Sequence, residues 1–93
     1  MVKELILTAV IRKEQGRYSS WCPELDVASQ GDTMEEARRN LKEAVELHVE
    51  TMVQEGEVME LLEKVGLLPE DLEKEVLVPE TFSGSLEIPL VVS

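Results

Sequence analysis

The sequence is poor in the residues that most often carry chemistry. It has one cysteine, Cys22, and one histidine, His48, in 93 residues. A lone cysteine excludes an internal disulfide and suits a reducing compartment. Cations are also scarce: nine Lys and Arg stand against twenty Asp and Glu, a net charge of −11. Binding nucleic acid through its own surface would need clustered cations to neutralise phosphates, so a chain this acidic is a poor candidate. No apolar run comes near the roughly 20 residues needed to cross a bilayer. The opening segment MVKELILTAVIRKEQG has no small-residue cleavage site and does not read as a secretory signal. With hydrophobic residues at 43% the chain is not a disordered acidic tail either. The class that remains is one soluble, acidic, cytoplasmic domain spanning residues 1–93.

Aromatic residues are the other shortage: Tyr18, Trp21 and Phe82 are the only three. The core must be built from Leu, Ile, Val, Ala and Met. A chain of this size buries only about 60–65% of its unfolded surface. Self-association into a dimer or tetramer would supplement that burial, and a homo-oligomer is expected.

Leu5 to Arg12 is β-branched and apolar at nearly every position, the pattern of a central strand covered on both faces. Gly16 offers the positive φ of a tight hairpin. Arg17 to Cys22 alternates, with Tyr18, Ser20 and Cys22 on one face and Ser19 and Trp21 on the other, and Pro23 ends it. Leu25 to Gln30 is a third short strand, closed by Gly31. Three strands joined by short turns make an antiparallel meander.

Thr33-x-x-Glu36 is a capping box: the Thr33 hydroxyl accepts from the Glu36 amide and the Glu36 carboxylate returns to the Thr33 amide. Glu35 and Glu36 place negative charge at the positive end of the helix dipole. Ala37, Leu41, Ala44, Val45, His48, Val49 and Met52 then recur at helical spacing. Glu35–Arg39, Arg39–Glu43 and Lys42–Glu46 are outer-face i,i+4 pairs. The spacing predicts a helix from about Met34 to Glu55, stopping at Gly56. Val58, Leu61, Leu62 and Val65 predict a second, short helix ended by Gly66. Pro69 to Leu72 is a candidate helical turn. Val76 to Pro79 and Leu86 to Val92 read as extended around a turn at Ser83-Gly84. Leu86, Ile88, Leu90 and Val92 share one face, and Pro89 marks an edge strand. The fold class is therefore α+β: a three-stranded antiparallel meander, a long helix and a C-terminal strand (β-β-β-α-β) in two layers. The core lies at about residues 3–55, with short helices and the last strand in 56–93.

Cys22 and His48 are formally a nucleophile and base, but His48 falls on the apolar helix face and Cys22 beside Pro23 is ordinary strand-end packing. Neither has neighbours at zinc-ligand spacing. Glu24, Asp26, Asp32 and Glu36 are the carboxylates that a two-metal nuclease would need to converge. Asp32 is explained by the turn and cap, the helical glutamates by a solvated face, and no spacing forces convergence. No catalytic residue, metal site or cofactor is expected, and the protein is read as a non-enzyme. The negative field would steer and hold a basic protein. Tyr18 and Trp21 are candidate interface anchors. Packing of Trp21 beneath the long helix is the competing reading.

The run from Gly16 to Asp26, containing Trp21-Cys22-Pro23-Glu24-Leu25, followed by Ser29-Gln30-Gly31-Asp32-Thr33-Met34-Glu35-Glu36-Ala37, resembles the HicB antitoxin family. Asn40, Lys42, Glu43 and Ala44 continue the pattern, and the likeness covers about residues 3–52. It implies a partial RNase-H-like fold without working catalytic residues. It also implies a prokaryotic toxin–antitoxin pair in which the partner, HicA, is a small basic ribonuclease that cleaves mRNA and uses a histidine. Many members add a C-terminal DNA-binding domain. Residues 53–93 are instead acidic, with no basic recognition helix, so no separate DNA-binding domain and no direct nucleic-acid binding are expected. The resulting expectation is occlusion of a HicA-type toxin by a contact surface drawn from Tyr18, Trp21, Glu24, Asp26 and Asp32. The alternative is an orphan oligomeric module that binds another protein or a small ligand.

Overall fold

The computed structural model describes residues 2–68, 70, 76–77 and 85–91. Strands β1 (Val2–Thr8), β2 (Val10–Glu14), β3 (Arg17–Cys22) and β4 (Val27–Gly31) lead into helix α1 (Met34–Gln54) and short helix α2 (Val58–Lys64). The two-residue β5 (Val76–Leu77) and β6 (Ser85–Val91) follow. The expected meander is β2-β3-β4, antiparallel throughout, and β1 is the centre of a second sheet ordered β5-β1-β6. β5 pairs parallel to β1 and β6 antiparallel, with Leu5 opposite Ile88 and Thr8 opposite Ser85.

The first strand thus differs from its expected form. The apolar run Leu5 to Arg12 breaks at Ala9, and its halves serve different sheets. β1 is central as anticipated, whereas β2 is an edge strand of the meander. The third meander strand also begins later than expected, at Val27, because residues 23–26 form a turn in which Asp26 adopts φ +53°.

The β2–β3 turn is a two-residue hairpin with Glu14 opposite Arg17, and Gln15 and Gly16 both have positive φ (47° and 81°). That pairing matches the right-handed strand twist, and Gly16 adopts it at no steric cost. β3 alternates as expected, with Ser20 and Cys22 buried and Trp21 exposed.

Helix α1 begins where the capping box placed it. Thr33 is the N-cap, and its Oγ1 accepts from the Glu36 amide at 3.0 Å. The Glu36 carboxylate returns to the Asp32 amide at 3.4 Å, one residue earlier than the expected Thr33. Ala37, Leu41, Val45, Val49 and Met52 form the buried stripe, while Ala44 and His48 flank it half-buried. Of the three expected ion pairs only Lys42–Glu46 closes, at 3.9 Å. α1 packs on β4, β3 and β6, and α2 buries Leu61 and Leu62 behind it. From β1 and β6, Leu5, Leu7, Leu86, Ile88 and Leu90 complete the core at 0% exposure. Each such side chain contributes about 1.5–3 kcal/mol on burial. Pro89 sits in β6 as expected of an edge strand. The proposed turns at residues 69–72 and 83–84 fall outside the described residues, apart from Glu70.

Three contacts tie α1 to the meander. The Ser20 hydroxyl donates to the Ala37 carbonyl at 2.9 Å, and the Asn40 amide to the Gln30 carbonyl at 2.9 Å. At Gly31 the helix comes so close that an added Cβ would lie 2.5 Å from the Ala37 amide nitrogen. Backbone cannot yield there as a flexible side chain would. Gly31→Ala is expected to cost about 1–3 kcal/mol by overpacking, read as a lower urea midpoint at unchanged m-value.

Candidate protein-contact site

The meander has two faces. α1 covers the one bearing Ser20 and Cys22, and Trp21 points away from it. Trp21 therefore does not pack beneath the helix. It stands opposite Val10 and Ala28 on the outer face and is 43% exposed. Its Nε1–H donates to Asp26 Oδ1 at 3.0 Å. Asp26 reaches the indole from a left-handed backbone conformation that Asp tolerates better than most residues. The ring is held by that bond while half its surface meets solvent, the amphipathic arrangement that makes Trp an effective interface anchor.

The remaining candidates do not converge on this pair. Glu24 is half-buried and turned inward: its carboxylate accepts from the Thr8 amide at 3.1 and 3.2 Å and from the Thr8 hydroxyl at 2.5 Å. Cys22 Sγ donates to the same carboxylate at 3.5 Å. Asp32 accepts from Arg17 Nε at 3.1 Å in an exposed ion pair, an interaction worth about 0–1 kcal/mol. Tyr18 is half-buried, opposite Lys13 and Gly31, on the other face of β3 from Trp21. Trp21 and Asp26 thus form one patch, and Glu24 serves the fold. The Thr8–Glu24 contact bridges residues 16 apart in sequence and left no local signal. The alternation of β3 placed Trp21 and Cys22 on opposite faces, and the buried Ser20 and Cys22 show which of the two faces the helix covers.

Cys22 is a free, fully buried thiol. Burial raises its pKa from 9.0 to about 12, and the neighbouring Glu24 charge adds to the rise. The nucleophilic form is therefore suppressed. Among the described residues the buried His48 Nε2 makes no hydrogen bond, and the Cys22 thiol is directed at Glu24. Among the described residues no three His, Cys, Asp or Glu side chains gather as metal ligands.

The charge is unevenly distributed. Residues 1–31 hold four cations and four acids, so the whole net −11 falls on residues 32–93. Residues 34–64, which include α1 and α2, contribute nine glutamates against four cations. Glu35, Glu43, Glu50, Glu55, Glu60 and Glu63 are exposed there. Residues 34–64 thus carry −5 of the net charge, while residues 1–31, which include the meander, are neutral. No helix among the described residues is long and apolar enough to cross a membrane.

These features define an α+β domain with a negative helical layer and an exposed tryptophan on the sheet face turned away from α1. The chain belongs to the HicB-like antitoxin family: the family described as HicB_like antitoxin of bacterial toxin-antitoxin system matches residues 7–78. That match extends well past the helix where the sequence resemblance ended. Two UPF0150 proteins of Synechocystis are similar to it. One is 46% identical over 50 residues, covering 52% of this chain and 63% of that protein. The other is 41% identical over 68 residues, covering 68% of this chain and 94% of its own length. A UPF0150 protein of Helicobacter pylori is 44% identical over 46 residues, covering 48% of this chain and 64% of its own. The chain thus spans less than two thirds of the first and third of these relatives. No solved structure matches it.

The Glu24 cluster has consequences for stability, pH dependence and thiol reactivity. Glu24→Ala leaves the buried Thr8 amide and hydroxyl without their charged acceptor and is expected to cost about 2–3 kcal/mol in urea unfolding, with Glu24→Gln retaining part of that. The raised Cys22 pKa stabilises the neutral thiol in the folded state. That contribution is complete below pH 9.0 and declines towards about 12, as the unfolded chain ionises first. Wild type should therefore lose more stability than Cys22→Ala between those limits. At pH 8 a thiol reagent should label Cys22 only after denaturation.

Proposed function

We propose that the protein neutralises a small, basic, HicA-type mRNA-cleaving toxin by stoichiometric occlusion in the prokaryotic cytoplasm. Membership of the antitoxin family carries this reading, and the separation of charge supports it. The helical layer supplies a negative field that draws in a cationic partner over a Debye length of about 8–10 Å. Trp21, held by Asp26, is the short-range anchor on the sheet face. Binding acts by covering the toxin's RNA-binding surface, and the antitoxin supplies no catalytic group.

Tagged protein purified from its native host, sized and identified by mass spectrometry, should carry a small basic protein at fixed stoichiometry. That protein alone should cleave RNA, and the complex should not. A homo-oligomer with no such partner would refute the toxin reading. Given the complex, Trp21→Ala should weaken affinity by about 2 kcal/mol, roughly 30-fold, without altering the fold. Asp26→Lys should weaken it as well. Rising salt should slow association far more than it speeds dissociation.

A further inference from the structure

β6 hydrogen-bonds to β1 along one edge, and among the described residues nothing pairs with the other. Beside it lies a groove of about 500 Å³ between β6 and the C-terminal half of α1. Val49 and Val53 from the helix and Pro89 and Val91 from the strand give it apolar walls. Val91 is 58% exposed at the end of a strand whose Leu86, Ile88 and Leu90 are fully buried. Glu46 and Glu50 stand over the groove, and no described cation lines it. Lys42 reaches Glu46 from one turn earlier at a loose 3.9 Å, and among the described residues Glu50 accepts from Gln54 at 3.5 Å.

We propose that this groove is a docking site for an extended, lysine- or arginine-bearing segment of a partner protein, which adds to the open edge of β6 as a further strand. Pro89 offers no N–H on this edge, so a docked strand makes its backbone bonds on either side of it, with side chains that alternate between the faces. Residues two apart on a strand are about 6.6–6.8 Å apart. Glu46 and Glu50 are four helical residues apart, about 6 Å of axial rise. A basic-x-basic segment running along the helix therefore presents one cation to each glutamate. Long basic side chains have apolar stems that lie against Val53 and Val91 while their charged heads reach the carboxylates.

A second copy of this chain fits the groove poorly. It would bring another net −11 and its own Glu46, Glu50 and exposed Glu87 into a seam already negative. Like charges set face to face oppose pairing. The inference is separate from the toxin reading, because it concerns a different surface from the Trp21 face and specifies the chemistry of the segment, whatever protein carries it.

The test uses the full chain and a fluorescein-labelled eight-residue peptide alternating Val and Lys. Its controls are the same peptide with Glu for Lys and one N-methylated at alternate residues. The Lys peptide should bind, with amide shift changes centred on residues 46–54 and 85–91. The Glu peptide should not bind. N-methylation along the pairing edge should weaken binding at least tenfold. Glu46→Gln/Glu50→Gln, isosteric and on the surface, should weaken the Lys peptide about tenfold, whereas Trp21→Ala should leave it unchanged. The proposal is overturned by absent binding, by equal binding to the Gln variant, or by shifts centred on the meander. It is equally overturned by a homodimer whose intermolecular contacts occupy β6, which would assign the groove to a second copy.

Discussion

The Thr8 amide is bonded to the Glu24 carboxylate rather than to a neighbouring strand, and much of the molecule's layout turns on that contact. At this point the N-terminal strand leaves one sheet and enters another. The same carboxylate accepts from the Thr8 hydroxyl and the Cys22 thiol, so β1, the end of β3 and the turn after it are held at one charged acceptor. A half-buried charge is tolerated when donors meet it, and here three donors do. Once the break is fixed, the meander sits under the first half of α1 and β6 under the second. The uncovered sheet face and the groove beside β6 are both results of that division.

Close approach between layers reinforces the arrangement. Gly31 lets α1 start almost against β4, and the Ser20 and Asn40 bonds then satisfy backbone carbonyls at the contact. Such bonds combine directional polar contacts with the non-directional burial of Leu41, Val45 and Val49. A small domain with few aromatics gains a unique packing from a few such pins.

Much of this was legible in the residues. The capping box, the helical stripe and Gly56 located α1 to within a residue at its end. The alternation in β3 assigned Trp21 and Cys22 to opposite faces, and Pro89 marked an edge. The division of the first strand was not legible. Leu5 to Arg12 is apolar or β-branched at nearly every position, and nothing local to Ala9 announces that a carboxylate from a later turn takes the adjacent amide. The contact surface was half legible for the same reason. Glu24, Asp26 and Asp32 are alike as acidic loop residues, yet one binds the backbone, one an indole and one an arginine. Only tertiary placement separates a structural carboxylate from one available to a partner.

Carrying a net −5 on residues 34–64 beside a neutral stretch over residues 1–31 has a further consequence. A body charged on one side experiences a torque as well as a pull in the field of a cationic object. It turns before it touches. The helical layer would then lead the approach and the near-neutral sheet would trail. Any partner that must reach the indole would first meet glutamates, giving encounter a built-in order: coarse orientation by the helices, then a local search for the aromatic surface.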